Sequence, residues 1–256
     1  MKVIKYTAIV AALMCGAIPA EAADWSVNEV HYQIGELKNP FTDTRTTTHI
    51  LTFQHASSWR YGNNFFFIDM IDDGKEDNYN DTDYYGEWYS NFSLGKITGA
   101  DLSFGPIKDV GLIAGLNVAG DANIRKYLPG VRFSWDVPGF AYLNTDITAY
   151  IDDSDVAQGD SFMFDVNWAY PIDVGQQKFS ISGHVEYIGE RNYEQAGGAK
   201  INGHVLAQPQ FRWDLGHALF DTQDQLYVGI EYQYWNNKQG TNKDESVAQG
   251  LAVWRF

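Results

Sequence analysis

Cysteine is almost absent: the chain of 256 residues has one, Cys15. Disulfides therefore cannot hold a fold together, so an exported chain of this kind must rely on a large core or a closed hydrogen-bonded sheet. Positive charge is scarce as well, with 18 Lys and Arg against 33 Asp and Glu, for a net charge of −15. That balance excludes a binder relying on a basic face, and nucleic acid is not an expected partner. Long apolar runs are missing too. Mean hydropathy is −0.33, and beyond the first twenty residues nothing approaches the roughly 18 apolar residues of a membrane-crossing helix. A membrane β-barrel survives this test, because its strands alternate and their average hydropathy stays low.

Catalytic signatures are lacking in the same way. The six His are scattered, with no His-Glu-x-x-His pattern, and there is no Gly-x-Ser-x-Gly elbow and no Gly-rich phosphate loop. No enzyme, cofactor or metal centre is expected. The one arrangement with nucleophilic potential is His55 close to Ser57 and Ser58. Loop 72–83 is rich in carboxylates (Asp72, Asp73, Glu76, Asp77, Asp81, Asp83). Its spacing lacks the glycine of a calcium-binding loop, so a solvated surface loop is expected.

What is present begins with an export signal. Lys2 and Lys5 precede the apolar run Ala8 to Ile18, and Ala20-Glu21-Ala22 supplies the small-x-small pattern of a cleavage site. Residues 1–22 are predicted to be a signal peptide, leaving 23–256 as a single domain. Met14 before Cys15 does not suit lipidation.

Through the rest of the chain, apolar and polar residues alternate with period two. Phe162, Phe164, Val166, Trp168 and Tyr170 oppose Met163, Asp165, Asn167 and Ala169; Phe179, Ile181, Val185 and Tyr187 oppose Ser180, Ser182, His184 and Glu186. No helical stripe is visible. Twelve strands are predicted, at about 26–36, 47–58, 63–72, 83–94, 109–119, 126–137, 140–151, 161–171, 178–190, 203–215, 225–236 and 245–256, each long enough to cross a hydrocarbon layer. Connections alternate between tight (59–62, Pro138-Gly139) and long (72–83, 152–160, 190–202). Residues 95–108 and 216–224 fall on the tight side without being short. An even strand number with the short turns in the periplasm puts both termini there.

A soluble β-sandwich or lipocalin-like barrel would also alternate, but its apolar residues would point inward and its outer face would be charged. Three features oppose it. Aromatics crowd both ends of the apolar faces, as interfacial girdles do. Ionisable groups occupy mid-strand positions of the polar face. The chain ends in Trp254-Arg255-Phe256 on an alternating strand, the form in which outer-membrane barrels present themselves to their assembly machinery. The predicted fold is an all-β, antiparallel transmembrane barrel in the Gram-negative outer membrane, in contact with lipid and lipopolysaccharide.

The stretch from Phe92-Ser93-Leu94 to Asp101-Leu102-Ser103-Phe104-Gly105-Pro106-Ile107-Lys108-Asp109, with Glu87 just before it, resembles the Tsx family of nucleoside-specific outer-membrane channels, which includes the OmpK phage receptors. Looser similarity covers Ser26-Val27-Asn28 and Val131 to Tyr150. The resemblance implies a narrow twelve-stranded barrel that passes nucleosides and is used by bacteriophages as a receptor. None of the family's nucleoside-contacting positions is carried over.

In a membrane barrel the charged mid-strand residues must face the lumen. The expected pore lining is Asp69, Glu87, Arg132, Asp146, Asp165, Glu186, Arg212 and Glu231, with Phe65, Phe67, Tyr89 and Tyr142 as inward aromatics. Rings and hydrogen-bonding groups together suit a nucleoside, with its flat base and its hydroxyls. The competing reading is a non-conducting barrel whose lumen is closed by ion pairs and whose outer loops act as a receptor or adhesin.

Overall fold

The computed structural model describes residues 23–77, 79–155, 158–193 and 197–256; the predicted signal peptide lies outside them. Period-two alternation becomes strands throughout: β1 (Trp25–Asn39), β2 (Thr44–Trp59), β3 (Gly62–Asp72), β4 (Asp83–Ser93), β5 (Ile107–Ala119), β6 (Ile124–Tyr127), β7 (Gly130–Trp135), β8 (Tyr142–Asp152), β9 (Ser161–Val174), β10 (Gln177–Ile188), β11 (Arg191–Tyr193), β12 (Ala199–Ile201), β13 (His204–Ala207), β14 (Gln210–Asp214), β15 (Leu226–Asn236) and β16 (Glu245–Arg255). Fourteen of these segments share one sheet. Two pairs, β6 with β7 and β13 with β14, are halves of single staves, so the wall has twelve. Pairing is antiparallel throughout, and β1 bonds both β2 and β16, which closes the barrel and leaves no free edge.

Two predicted strands, 126–137 and 203–215, are thus broken, and each break has a proline at it. Pro129 and Pro209 have no N–H to give the ladder. The wall stays laced through their neighbours: Leu128 and Gly115 exchange backbone bonds at 2.8 and 3.0 Å, and Pro209 O accepts from Tyr232 N at 2.9 Å. Gly183 lies against the second break, where a Cβ would fall 2.3 Å from Gln208 O. Residues 190–202, expected as loop, contain the small β11–β12 hairpin, which pairs outside the barrel sheet.

Both ends of the described chain lie at one rim, with the tight turn between β2 and β3. The two overlong connections at this terminal rim each carry a short helix, α1 (Leu94–Thr98) and α2 (Leu215–Phe220). Ser93 Oγ accepts from Lys96 N at 3.0 Å and Asp214 Oδ1 from His217 N at 2.8 Å, so both begin with a side-chain cap. Helices of five and six residues cannot show a stripe, which is why the alternation analysis had no sign of them.

The distribution of polarity is inverted relative to a soluble barrel. Leu112 on the outer face is 50% exposed, whereas Glu231 on the inner face is 3% exposed. Trp88, Ile147, Phe164 and Ile230 join Leu112 outside; Glu29, His31, Asp165 and Arg212 are buried inside. Tyr84, Tyr127, Phe162, Tyr187 and Tyr234 ring the loop rim, and Phe92, Phe179, Trp254 and Phe256 the terminal rim. The inner face is not uniformly polar, however. Leu128, Tyr150, Met163 and Ile188 form a buried cluster against Tyr89, and Tyr227, Leu251 and Val253 form another. The acidic loop between β3 and β4 spends carboxylates on its own backbone, with Asp73 accepting from Lys75 N at 2.9 Å and Asp81 from Asp77 N at 3.0 Å.

Candidate functional site: a charged lumen in two chambers

A chamber of about 490 Å³ occupies the barrel on the terminal-rim side, and a smaller one of about 120 Å³ lies toward the loop rim. Phe67, Asp69, Glu87, His184 and Gln208 line both, so they mark the neck between them. The larger chamber contains all twelve residues expected to line a pore: Phe65, Phe67, Asp69, Glu87, Tyr89, Arg132, Tyr142, Asp146, Asp165, Glu186, Arg212 and Glu231.

Register explains which of them meet. Arg132, Asp146, Asp165 and Glu186 stand side by side on β7, β8, β9 and β10, each opposite the next. Arg132 grips Asp146 through two bonds, Nε to Oδ1 at 2.7 Å and Nη2 to Oδ2 at 2.6 Å. Asn167 Nδ2 donates to Asp165 Oδ1 at 2.7 Å, and Asp165 Oδ2 lies 3.0 Å from His184 Nδ1. Arg212 pairs with none of the predicted acids. It reaches Glu29 at 3.1 Å, which also holds Arg255 at 2.8 Å and His31 at 2.8 Å. Among the described residues Glu231 is held by amides, accepting from Gln33 at 2.7 Å, Gln210 at 2.6 Å, Gln249 at 3.1 Å and Gln208 at 3.3 Å. Asp69 accepts from Thr52 at 2.6 Å. Glu87 accepts from Tyr85 and, at 2.9 Å, from Asn117.

Rings line the same wall. Phe65, Phe67 and Tyr85 contact in series, with centroids 6.1 and 5.9 Å apart. Tyr89 donates its hydroxyl to Asn117 Oδ1 at 3.0 Å, and Asn117 in turn donates to Glu87. Tyr142, 47% exposed, stands at the terminal mouth of the chamber. Tyr150, on the same inward face of β8 as Asp146, lies in the apolar cluster, beneath Lys126 and Arg191.

Sequence reasoning passed over Glu29, His31, His184 and the glutamines. The signal for the first two was present, since Glu29, His31 and Gln33 alternate against Val30, Tyr32 and Ile34. Lys126–Asp152 and Lys238–Glu245, both at 2.7 Å and buried, sit nearer the loop rim and were also missed. His55 does not serve Ser57 or Ser58: its Nδ1 is 2.8 Å from Asn28 Oδ1, its ring stacks on Phe66, and Ser58 faces the chamber.

A closed twelve-stave barrel, apolar outside and ionised around a lumen within, is an outer-membrane channel for small solutes. The chain belongs to the family described as nucleoside-specific channel-forming protein, Tsx, whose profile matches residues 21–254. No curated protein matches. Among solved structures, the chain is similar to a "KdgM porin in complex with disordered oligogalacturonate" (8% identity, 91% of this chain and 99% of that one, TM-score 0.50). It is also similar to a "KdgM porin" (8%, 91% and 99%, TM-score 0.49). A third is "OmpTdeltaL8 (loop L8 deletion mutant of OmpT), an outer membrane protein of Vibrio cholerae" (9%, 92% and 99%, TM-score 0.40). At such identities the likeness concerns the fold alone.

Proposed function

We propose that this channel passes nucleosides by facilitated diffusion, after export directed by residues 1–22, with both termini in the periplasm. The observation that carries this reading is the run of rings Phe65, Phe67 and Tyr85, which borders Asp69 and Glu87 and continues from the larger chamber into the neck. A base offers a flat face for such rings, and a ribose offers hydroxyls for carboxylates and amides. A chamber of about 490 Å³ lies within the usual range of small-molecule sites. Family membership supports the same solute class.

Charge favours nucleosides over nucleotides. Seven carboxylates line the larger chamber against four Lys and Arg, and two of those cations, Arg132 and Arg212, are already committed to Asp146 and Glu29. A phosphate would meet net repulsion. Transport then requires contacts strong enough to admit the solute and weak enough to release it.

Conductance of the purified barrel in planar bilayers, titrated with adenosine, thymidine and the matching 5′-monophosphates, tests the reading. Nucleosides should interrupt the current at lower concentration than nucleotides. An open current with no block by any nucleoside would reduce the protein to a general pore.

A further inference from the structure

We propose that Asp165, His184 and Glu186 form a binding site for a divalent transition-metal ion of the zinc type in the channel wall. One ligand atom from each lies within 4.8 Å of the others. Glu186 faces Asp165 directly across the β9–β10 pair, and His184 is two residues from Glu186 on the same face of β10. Adjacent hydrogen-bonded strands therefore hold all three ligands, with little backbone freedom to lose on binding.

Two further features distinguish the trio from an ordinary ion pair. Glu186 is 5% exposed, borders the chamber, and has no hydrogen bond or ion pair among the described residues. A buried carboxylate without a partner is costly, and a cation supplies what is missing. The surroundings are also oriented for a metal. Gln208 gives its Nε2 to Glu231 and Gln233 at 3.3 and 3.2 Å, which turns its Oε1 toward His184 Nε2 at 3.1 Å. With Nε2–H donating to that carbonyl oxygen, Nδ1 is the nitrogen directed at Asp165 Oδ2, and an ion would take the place of the proton these two atoms share. Metal-ligating histidines are characteristically held this way through the second nitrogen. Asn167 does the same for the aspartate, occupying Oδ1 and leaving Oδ2 toward the site.

The donor set selects the ion class. One imidazole and two carboxylates suit zinc and its neighbours, whereas magnesium and calcium prefer oxygen ligands throughout. Three protein ligands also leave a coordination position for water or solute. Because His184 lines both chambers, an ion there stands beside the neck and reduces current through it. The site does not rest on the nucleoside reading.

Zinc chloride titrated calorimetrically into the detergent-solubilised full barrel should show one site, with magnesium unable to compete. Glu186→Gln is the principal variant, because Glu186 makes no bond whose loss would unfold the wall. It should weaken zinc binding about tenfold or more, as should His184→Gln, with heat-modifiable gel migration confirming an intact barrel. Zinc should lower single-channel conductance in the native protein and lose that effect in Glu186→Gln, while nucleoside block is scored separately in zinc-free buffer. Absence of zinc binding, or binding unchanged in folded Glu186→Gln, overturns the proposal and in the second case assigns the zinc to the surface carboxylates.

Discussion

Arg132 and Asp146 face each other in direct register across β7 and β8 and join through two parallel N–H to oxygen bonds at 2.7 and 2.6 Å. A two-pronged pair of this kind is planar, buried and intolerant of Lys in place of Arg. Arg132→Met should cost about 3–5 kcal/mol, because it strands a buried carboxylate, while Arg132→Met with Asp146→Leu should cost much less. Urea unfolding of the barrel in lipid vesicles, followed by tryptophan fluorescence, measures both. Equal costs would mean that the charge pair is energetically idle.

The assignment of faces can be tested on β7 and β8. Ile147 points outward and is 44% exposed, whereas Ser134 lines the chamber. Ile147→Arg should cost about 2–4 kcal/mol near the bilayer midplane, and Ser134→Arg should be much milder. The same unfolding assay ranks them, and the reverse order would turn these strands inside out.

Solute recognition predicts different outcomes for two neighbouring aromatic residues. Phe67 lines both chambers and touches Phe65 and Tyr85. Phe67→Ala should weaken nucleoside block several-fold, at the lower end of the roughly 1–3 kcal/mol attributed to a stacked base. Tyr89 packs against the Leu128 cluster and bonds Asn117, so Tyr89→Ala should reduce stability by about 3–5 kcal/mol. Bilayer titration of Phe67→Ala combined with Glu87→Gln, as a double-mutant cycle, reads their coupling. Unchanged block in both single variants would detach the rings from recognition.

At the loop rim, Asp43 lies 2.7 Å from Lys243 and 3.1 Å from Lys38. Hydrogen bonds from these two ammonium groups, that from Lys243 first, hold its carboxyl below the usual aspartate range. A lowered value in the folded state means that the contact is fully present above the ordinary range and is lost as pH falls through the lowered value. Lys243→Ala should raise the Asp43 titration midpoint, as carboxyl NMR shifts would show. High salt should shrink the difference, because the group is exposed.

Much of the wall was legible in the alternation. Phe162 and Asp165 are assigned to opposite faces by period alone, and the chamber holds Asp165 as expected. The limits follow from the same rule. Alternation places Met163 on the polar face, but it has no sign that Leu128, Met163 and Ile188 gather there into one buried apolar cluster. Pro129 and Pro209 sit inside convincing alternating runs, whose period hid the breaks that the missing N–H groups impose. Asp165 and Glu186 were both expected in the lumen, but that they oppose each other is a matter of register, which composition does not encode. Glu29 escaped notice for a further reason: its arginines lie 183 and 226 positions away.

Those separations carry a consequence for biogenesis. Glu29 enters the chain early, and the two guanidiniums that neutralise it are added near the end of synthesis. Without Arg212 and Arg255, the ion-pair partner left to Glu29 among the described residues is His31. The stave that closes the cylinder thus also supplies the last countercharge to its first strand. The seam is therefore electrostatic as well as hydrogen-bonded, since β16 brings Arg255 to Glu29 as it pairs with β1.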